Sequence, residues 1–279
     1  MSRLLVVNAD DLGLTAGVCR AVGRAHAEGV VTSTSVLAVG AAFDRAATTV
    51  RDAGDLGLGA HLAIVGEDRP LLSAREVPSL VDADGRFPLS YRTVVARGLA
   101  GRVDVADVAR EFRAQLERVR GIGVPLTHLD THQHTHLWPA VAGVVVELAR
   151  EAGIGTVRLP GSARRGPLGA GVRVLAGRLR RRLERAGLRT TDAHAGLDEA
   201  GRLGAAALDA ALHRATRAGA ATLEVNTHPG EAGDAELSRF AWDYRWAEEL
   251  AMLTAPATRG RAEAAGWRLG TFADLAAAR

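Results

Sequence analysis

The sequence contains no lysine; all 35 basic side chains are arginine. Arginine has the higher pKa, so a pI near 9.9 coexists with a formal net charge of only +3. The basic pI is therefore a composition effect, and a nucleic-acid partner is not expected. A single cysteine, Cys19, excludes an intramolecular disulfide and any cysteine-based zinc site. It fits a reducing cytosol, and the expected location is cytoplasmic. No apolar run is long enough to cross a bilayer. The start, Met1 to Asn8, has too short an apolar core for a signal peptide and reads as a first buried strand. Internal repeats and low-complexity linkers are also missing. What remains is a chain of 279 residues, 47% hydrophobic, long enough for one large domain with a sizeable core.

Histidine is concentrated where other signals are sparse. Four of the nine histidines fall within Thr127 to His136, spaced two apart, with Asp130 in the same alternation. On an extended strand, residues two apart share a face, so His128, Asp130, His132, His134 and His136 are expected on one side. A row of imidazoles is costly to bury without partners, and a metal ion or a polar pocket supplies them. A solvent-facing edge strand is the plainer alternative.

Along the chain, Arg3–Asn8 predicts a strand that stops at Asn8-Ala9-Asp10-Asp11-Leu12-Gly13, with Thr15 placed to cap a helix. Strands follow at 30–39 and 55–62, with a helix at 43–53 between them. Residues 66–103 break the rhythm with Pro70, Pro78, Pro88 and the Asp84-Gly85 turn signal, and predict an irregular insertion. An amphipathic helix is expected at 105–119, the His-rich strand at 126–134, a helix at 138–152 and a strand at 154–159. The arginine run of 161–189 reads as a solvated helix face. A strand or loop at 190–197, a helix at 205–218, a strand at 221–226, a helix at 241–253, a strand at 267–271 and a terminal helix complete the chain. Alternating strands and helices imply a parallel sheet, and this many units imply a single-domain (β/α) barrel, complete or distorted.

In such a barrel the strand ends gather at one mouth. Asp10 and Asp11 end the first strand, His61 the third, His132 and His134 the His-rich one, and His228 a late one. One carboxylate with two imidazoles makes an open metal centre. Of the adjacent pair Asp10-Asp11, one can bind the metal while the other takes a proton. His228, before Pro229 and Gly230, is a candidate ligand, general acid or oxyanion donor. Residue spacing leaves the choice between His132 and His134 open.

Asn8 to Thr15, Gly59-Ala60-His61-Leu62, His128 to His136 and Thr227-His228-Pro229-Gly230 together resemble the YdjC-like carbohydrate deacetylases. That family includes chitooligosaccharide deacetylases and a branch associated with hopanoid biosynthesis. The resemblance runs from the first strand to the last helix. It implies a distorted (β/α) barrel of the polysaccharide-deacetylase type and one divalent metal, Mg or Zn foremost, with Co, Ni and Mn as other fits. By position the ligands would be Asp11, His61 and His132, with His134 in reserve. Asp10 would be the base and His228 the acid or oxyanion partner, while Arg158 and His134 would contact substrate. Two departures bear on substrate contacts: Ala63-Ile64 after the third strand, and Gly161 where an acidic residue is common. The implied reaction removes an N-acetyl group from an amino sugar, an oligosaccharide or a glycoconjugate, by a monomer or a homo-oligomer. An amidohydrolase or phosphoesterase of another substrate class, and a non-catalytic arginine-rich binding protein, are the alternatives.

Overall fold

A computed structural model describes residues 3–276. In chain order the elements are β1 (Arg3–Leu12), α1 (Ala16–Ala27), β2 (Ser33–Val36), α2 (Phe43–Ala53), β3 (Gly57–Leu62), α3 (Tyr91–Leu99), α4 (Val105–Arg120) and β4 (Leu126–Thr131). Then come α5 (Pro139–Glu151), α6 (Pro167–Arg185), β5 (Ala193–Ala195), α7 (Ala205–Arg217), β6 (Thr222–Thr227), α8 (Trp246–Thr254), α9 (Pro256–Ala264) and β7 (Trp267–Leu269). Every strand pairing is parallel, in the order β4-β3-β2-β1-β6-β5, with β7 added to the start of β1. Between the edges β4 and β5, the wall is carried by single-residue bridges, Leu129 to Val157 and Thr156 to Arg189. The barrel is thus distorted and only loosely closed.

Alternation along β1 sorts its side chains. Leu5, Val7 and Ala9 join the large core beneath the outer helices, while Leu4 and Val6 form a separate apolar plug with Phe272 and Leu275. Above that plug the interior is polar, with Asn8, Ser35, His128, Asp130, Glu224 and Arg158 all buried. Gly59 permits this filling. A Cβ there would lie 2.3 Å from the His128 ring.

Several expected elements differ. Residues 154–159 contribute only the two bridges, because the chain there turns inward to deliver Arg158. The His-rich strand ends at Thr131, and His132–Leu137 is a 3₁₀ turn in which Gln133 and His134 adopt φ of 51°. That left-handed pair breaks the alternation, so the five side chains do not share one face. The insertion at 66–103 contains α3 and is pinned down. On α4, buried Glu111 accepts the Leu71 and Leu72 backbone N–H groups, and buried Asp107 accepts that of Ser79. Gln133 bridges the Tyr91 N–H and the Leu89 carbonyl, tying the start of α3 to the turn after β4. The helix expected from 241 begins at Trp246, since Asp243 sits at φ 55°. The chain closes with a 3₁₀ turn, Phe272–Ala276; the rest of the expected terminal helix, 277–279, lies outside the described residues. No helix among the described residues is long and apolar enough to cross a membrane.

Candidate metal centre and active-site cleft

Adjacent residues on a regular strand point to opposite faces, yet Asp10 and Asp11 both face the barrel mouth. The end of β1 is bulged: its register with β2 shifts between Ala9 and Leu12, and Asp11 takes φ 63°. Aspartate tolerates this left-handed conformation better than most residues, and a bulge re-aims a side chain. The structure therefore makes the adjacent pair usable at one site.

Asp11 Oδ1 lies 3.0 Å from His132 Nδ1 and 3.3 Å from His61 Nε2, and the two imidazole nitrogens are 3.4 Å apart. All three side chains are buried. Burial works against ionising Asp11, yet His132 and His61 hold its carboxyl well below the usual carboxylate range. Burial alone would lower the His61 imidazole; Asp130, Asp11 and Asp10 outweigh it and push it up to about 10. The three potential ligand atoms crowd around one point, as the ligands of a single cation do. Donor atoms around an ion with bonds near 2.1 Å stand roughly 3.0–3.4 Å apart, so the set fits a divalent metal. His61 Nδ1–H donates to Asp130 at 2.7 Å, which fixes the ring with Nε2 toward Asp11, an orienting contact typical of metal-ligating imidazoles. His134 stands apart from this cluster, its ring 5.8 Å from that of His194 and its buried Nδ1 without a hydrogen-bond partner among the described residues. Burial is the first cause that keeps its imidazole neutral, the Arg158 charge the next.

Arg158 corrects the sequence expectation. It is fully buried below the mouth, where no substrate reaches it. Its guanidinium grips both oxygens of Asp10, at 2.6 and 2.8 Å, and also meets Asp130 at 2.7 Å and Glu224. Burial raises the Glu224 carboxyl to about 7, against the pull of Arg158. Asp10 further accepts from Asn8 at 2.7 Å and from Asn226 at 3.2 Å. The side chains Glu224, Asn226 and Asn8 were not singled out from sequence. Thr222, Glu224 and Asn226 alternate with Leu223 and Val225 along β6, and that period was the available signal.

His228 follows β6, its Nε2 3.9 Å from Asp10 Oδ2. Buried Glu249 accepts its backbone N–H at 2.6 Å and so holds the loop. The mouth opens into a cleft of about 1090 Å³ between α3 and α6, lined by Asp10, Asp11, His61, His132, His134 and His228 at its floor. Val94, Leu99, Trp138, Leu168 and Val172 make much of its wall. Of the arginines of α6, Arg173 reaches the Ser162 and Arg164 carbonyls, Arg180 those of Thr191 and Asp192, and Arg182 that of Pro139; Arg164, just before the helix, pairs with Asp198. Beside the floor, Trp242 packs on His132 with ring centroids 5.2 Å apart, and Tyr244 on His228 at 4.9 Å.

An all-parallel, distorted α/β barrel with an Asp–His–His donor set and an acid–imidazole pair at its carboxyl mouth defines the class of this protein. The chain belongs to the YdjC-like family, whose model, described as YdjC-like protein, matches residues 4–264. It is similar to carbohydrate deacetylases of Brevibacillus brevis, 37% identical over 147 residues, and of Geobacillus stearothermophilus, 40% identical over 151. Each match covers 53% of this chain, and 56% and 57% of those relatives, so the chain spans little more than half the length of the curated relatives it matches. A solved structure from Enterococcus faecalis V583, named for cellobiose-phosphate cleavage, superposes over 99% of both chains with a TM-score of 0.81 and 25% identity.

Proposed function

We propose that the protein is a metal-dependent hydrolase that removes the N-acetyl group of an amino sugar, oligosaccharide or glycoconjugate as acetate. The observation that carries this reading is the meeting of Asp11, His61 and His132 on the cleft floor, with Asp10 and His228 beside them. The names of the related deacetylases support it. Asp11, His61 and His132 would hold one divalent ion, which when bound supplies Lewis acidity toward the acetamide carbonyl and an acidified water.

The chain's own residues supply the proton handling. Asp10 takes the proton of the attacking water. Its acceptor positions are occupied by Arg158, Asn8 and Asn226, so one donor must let go. The Asn226 contact is the longest and sits on Oδ2, the oxygen that faces His228. His228 donates toward the developing oxyanion and then to the leaving amine. Arg158 keeps Asp10 aimed, and Asp130 keeps His61 aimed. His134, which lines the cleft apart from the donor set, is a substrate contact in this reading.

A second reading has one observation in its favour. Arg92 and Arg178 line the cleft and have no carboxylate partner among the described residues, and the E. faecalis neighbour is named for a phosphorylated disaccharide. Incubation with N-acetylglucosamine, its oligomers and a phosphorylated disaccharide, with and without a chelator, separates the two. Chelator-sensitive acetate release supports the deacetylase. Phosphate release or glycosidic cleavage without acetate supports the rival.

A further inference from the structure

Phe, Tyr and Trp make up only 4% of the chain, yet Phe240, Trp242, Tyr244 and Trp246 stand at alternate positions in seven residues. They form a continuous stack: Phe240 to Trp242 at 4.9 Å, Trp242 to Tyr244 at 5.3 Å, and Tyr244 to Trp246 at 5.0 Å. Phe240 and Trp246 are buried and anchor the strap, whereas Trp242 and Tyr244 are partly exposed and line the cleft. A strap that needed only anchoring would end with the buried pair.

We propose that Trp242 and Tyr244 form a corner that stacks on the sugar ring carrying the acetamide, and so set the enzyme's preference for a saccharide. The saccharide ligand rests on the deacetylase reading; the placement of the rings does not. A pyranose is polar around its rim, but its faces present polarised C–H bonds, which suit the electron-rich face of an aromatic ring. The two rings meet at 64°, so together they make a corner rather than a flat wall. Each leans on one half of the reacting centre, Trp242 on the metal-ligand His132 and Tyr244 on His228. Trp242 is held by its N–H bond to Glu67 at 2.9 Å, from the opposite rim. The Tyr244 hydroxyl makes no hydrogen bond among the described residues, which leaves it for a rim hydroxyl of the sugar. Gly201 leaves room for this ring, since a Cβ there would lie 2.0 Å from Tyr244 Cγ.

The test uses the full chain and N,N′-diacetylchitobiose as probe. Acetate release gives KM and kcat for the metal-loaded protein, and calorimetric titration of the metal-free protein gives Kd. Trp242→Ala should raise both KM and Kd about tenfold, with kcat within about twofold, a loss the size of one aromatic contact with its buried area. Trp242→Phe, which keeps a ring, should recover most of the affinity. An unmoved Kd in Trp242→Ala overturns the proposal. So does a fall in kcat and metal content at constant Kd, which would make Trp242 a prop for His132. Should the protein bind the disaccharide in a Trp242-dependent way without releasing acetate, the corner stands and the deacetylase reading falls. No binding of this sugar or of N-acetylglucosamine overturns the corner.

Discussion

At the scale of single residues, Asp10 carries the sharpest expectation. Asp10→Asn keeps the shape but removes the proton acceptor, so turnover should fall by ~10²–10⁴, with metal content by elemental analysis unchanged. An Asn variant at full rate would remove Asp10 from the base role. His128 gives a test on stability. Burial, with the Arg158 charge, pushes its imidazole down to about 3 despite nearby Asp130. The unfolded chain binds that proton from about pH 6.5 downward, while the folded one refuses it. The contribution of His128 to stability is therefore complete above about pH 6.5 and is lost as the pH falls toward 3. The fall in Tm between pH 7 and 4 should be shallower in His128→Asn. Residue types were legible in the sequence because Asp and His at strand ends are unusual. Their partners were not: Arg158 alternates with Thr156 on a short strand-like segment, a pattern that does not say which groups it meets, and only three dimensions bring it to Asp10 and Glu224.

At the scale of elements, α4 carries a polar row on its buried face, Asp107, Glu111 and Gln115, spaced one turn apart. The sequence stripe of Val105, Val108, Phe112, Leu116 and Val119 announced the helix and hid that row, although Val105 itself is exposed. Glu111 satisfies two loop N–H groups, so Glu111→Ala should cost roughly 2–4 kcal/mol, the desolvation of two unpaired amides. Thermal unfolding would measure it, and limited proteolysis should move to residues 66–80. The parallel sheet and most of the helices could be anticipated because their periods are regular; α3 and α9 could not. The ends of elements could not, because they depend on left-handed residues such as Asp11, Gln133 and His134, which sequence patterning treats as ordinary.

At the scale of the whole molecule, the barrel mouth joins residues from 10 to 228 around one donor set, so a bound ion stabilises the entire fold. Occupancy at a hundredfold excess over Kd adds about 2.7 kcal/mol of stability. Adding Zn or Mn to chelated protein should raise Tm by several degrees, and the gain should vanish in His132→Ala but persist in His134→Ala. A shift kept by His132→Ala would move the ligand assignment elsewhere. The barrel class was legible from the rhythm of strands and helices. Its loose closure was not: the pattern at 154–159 reads as a full strand, whereas the structure gives it only isolated bridges at Thr156 and Val157.

One guanidinium holding Asp10, Asp130 and Glu224 together has a further consequence. Glu224 and Asp130 titrate against the same guanidinium, so a proton taken up at one alters the other, and the acidic limb of an activity curve would report the network rather than one carboxyl. Glu224→Gln, which leaves Asp10 untouched, should therefore displace that limb.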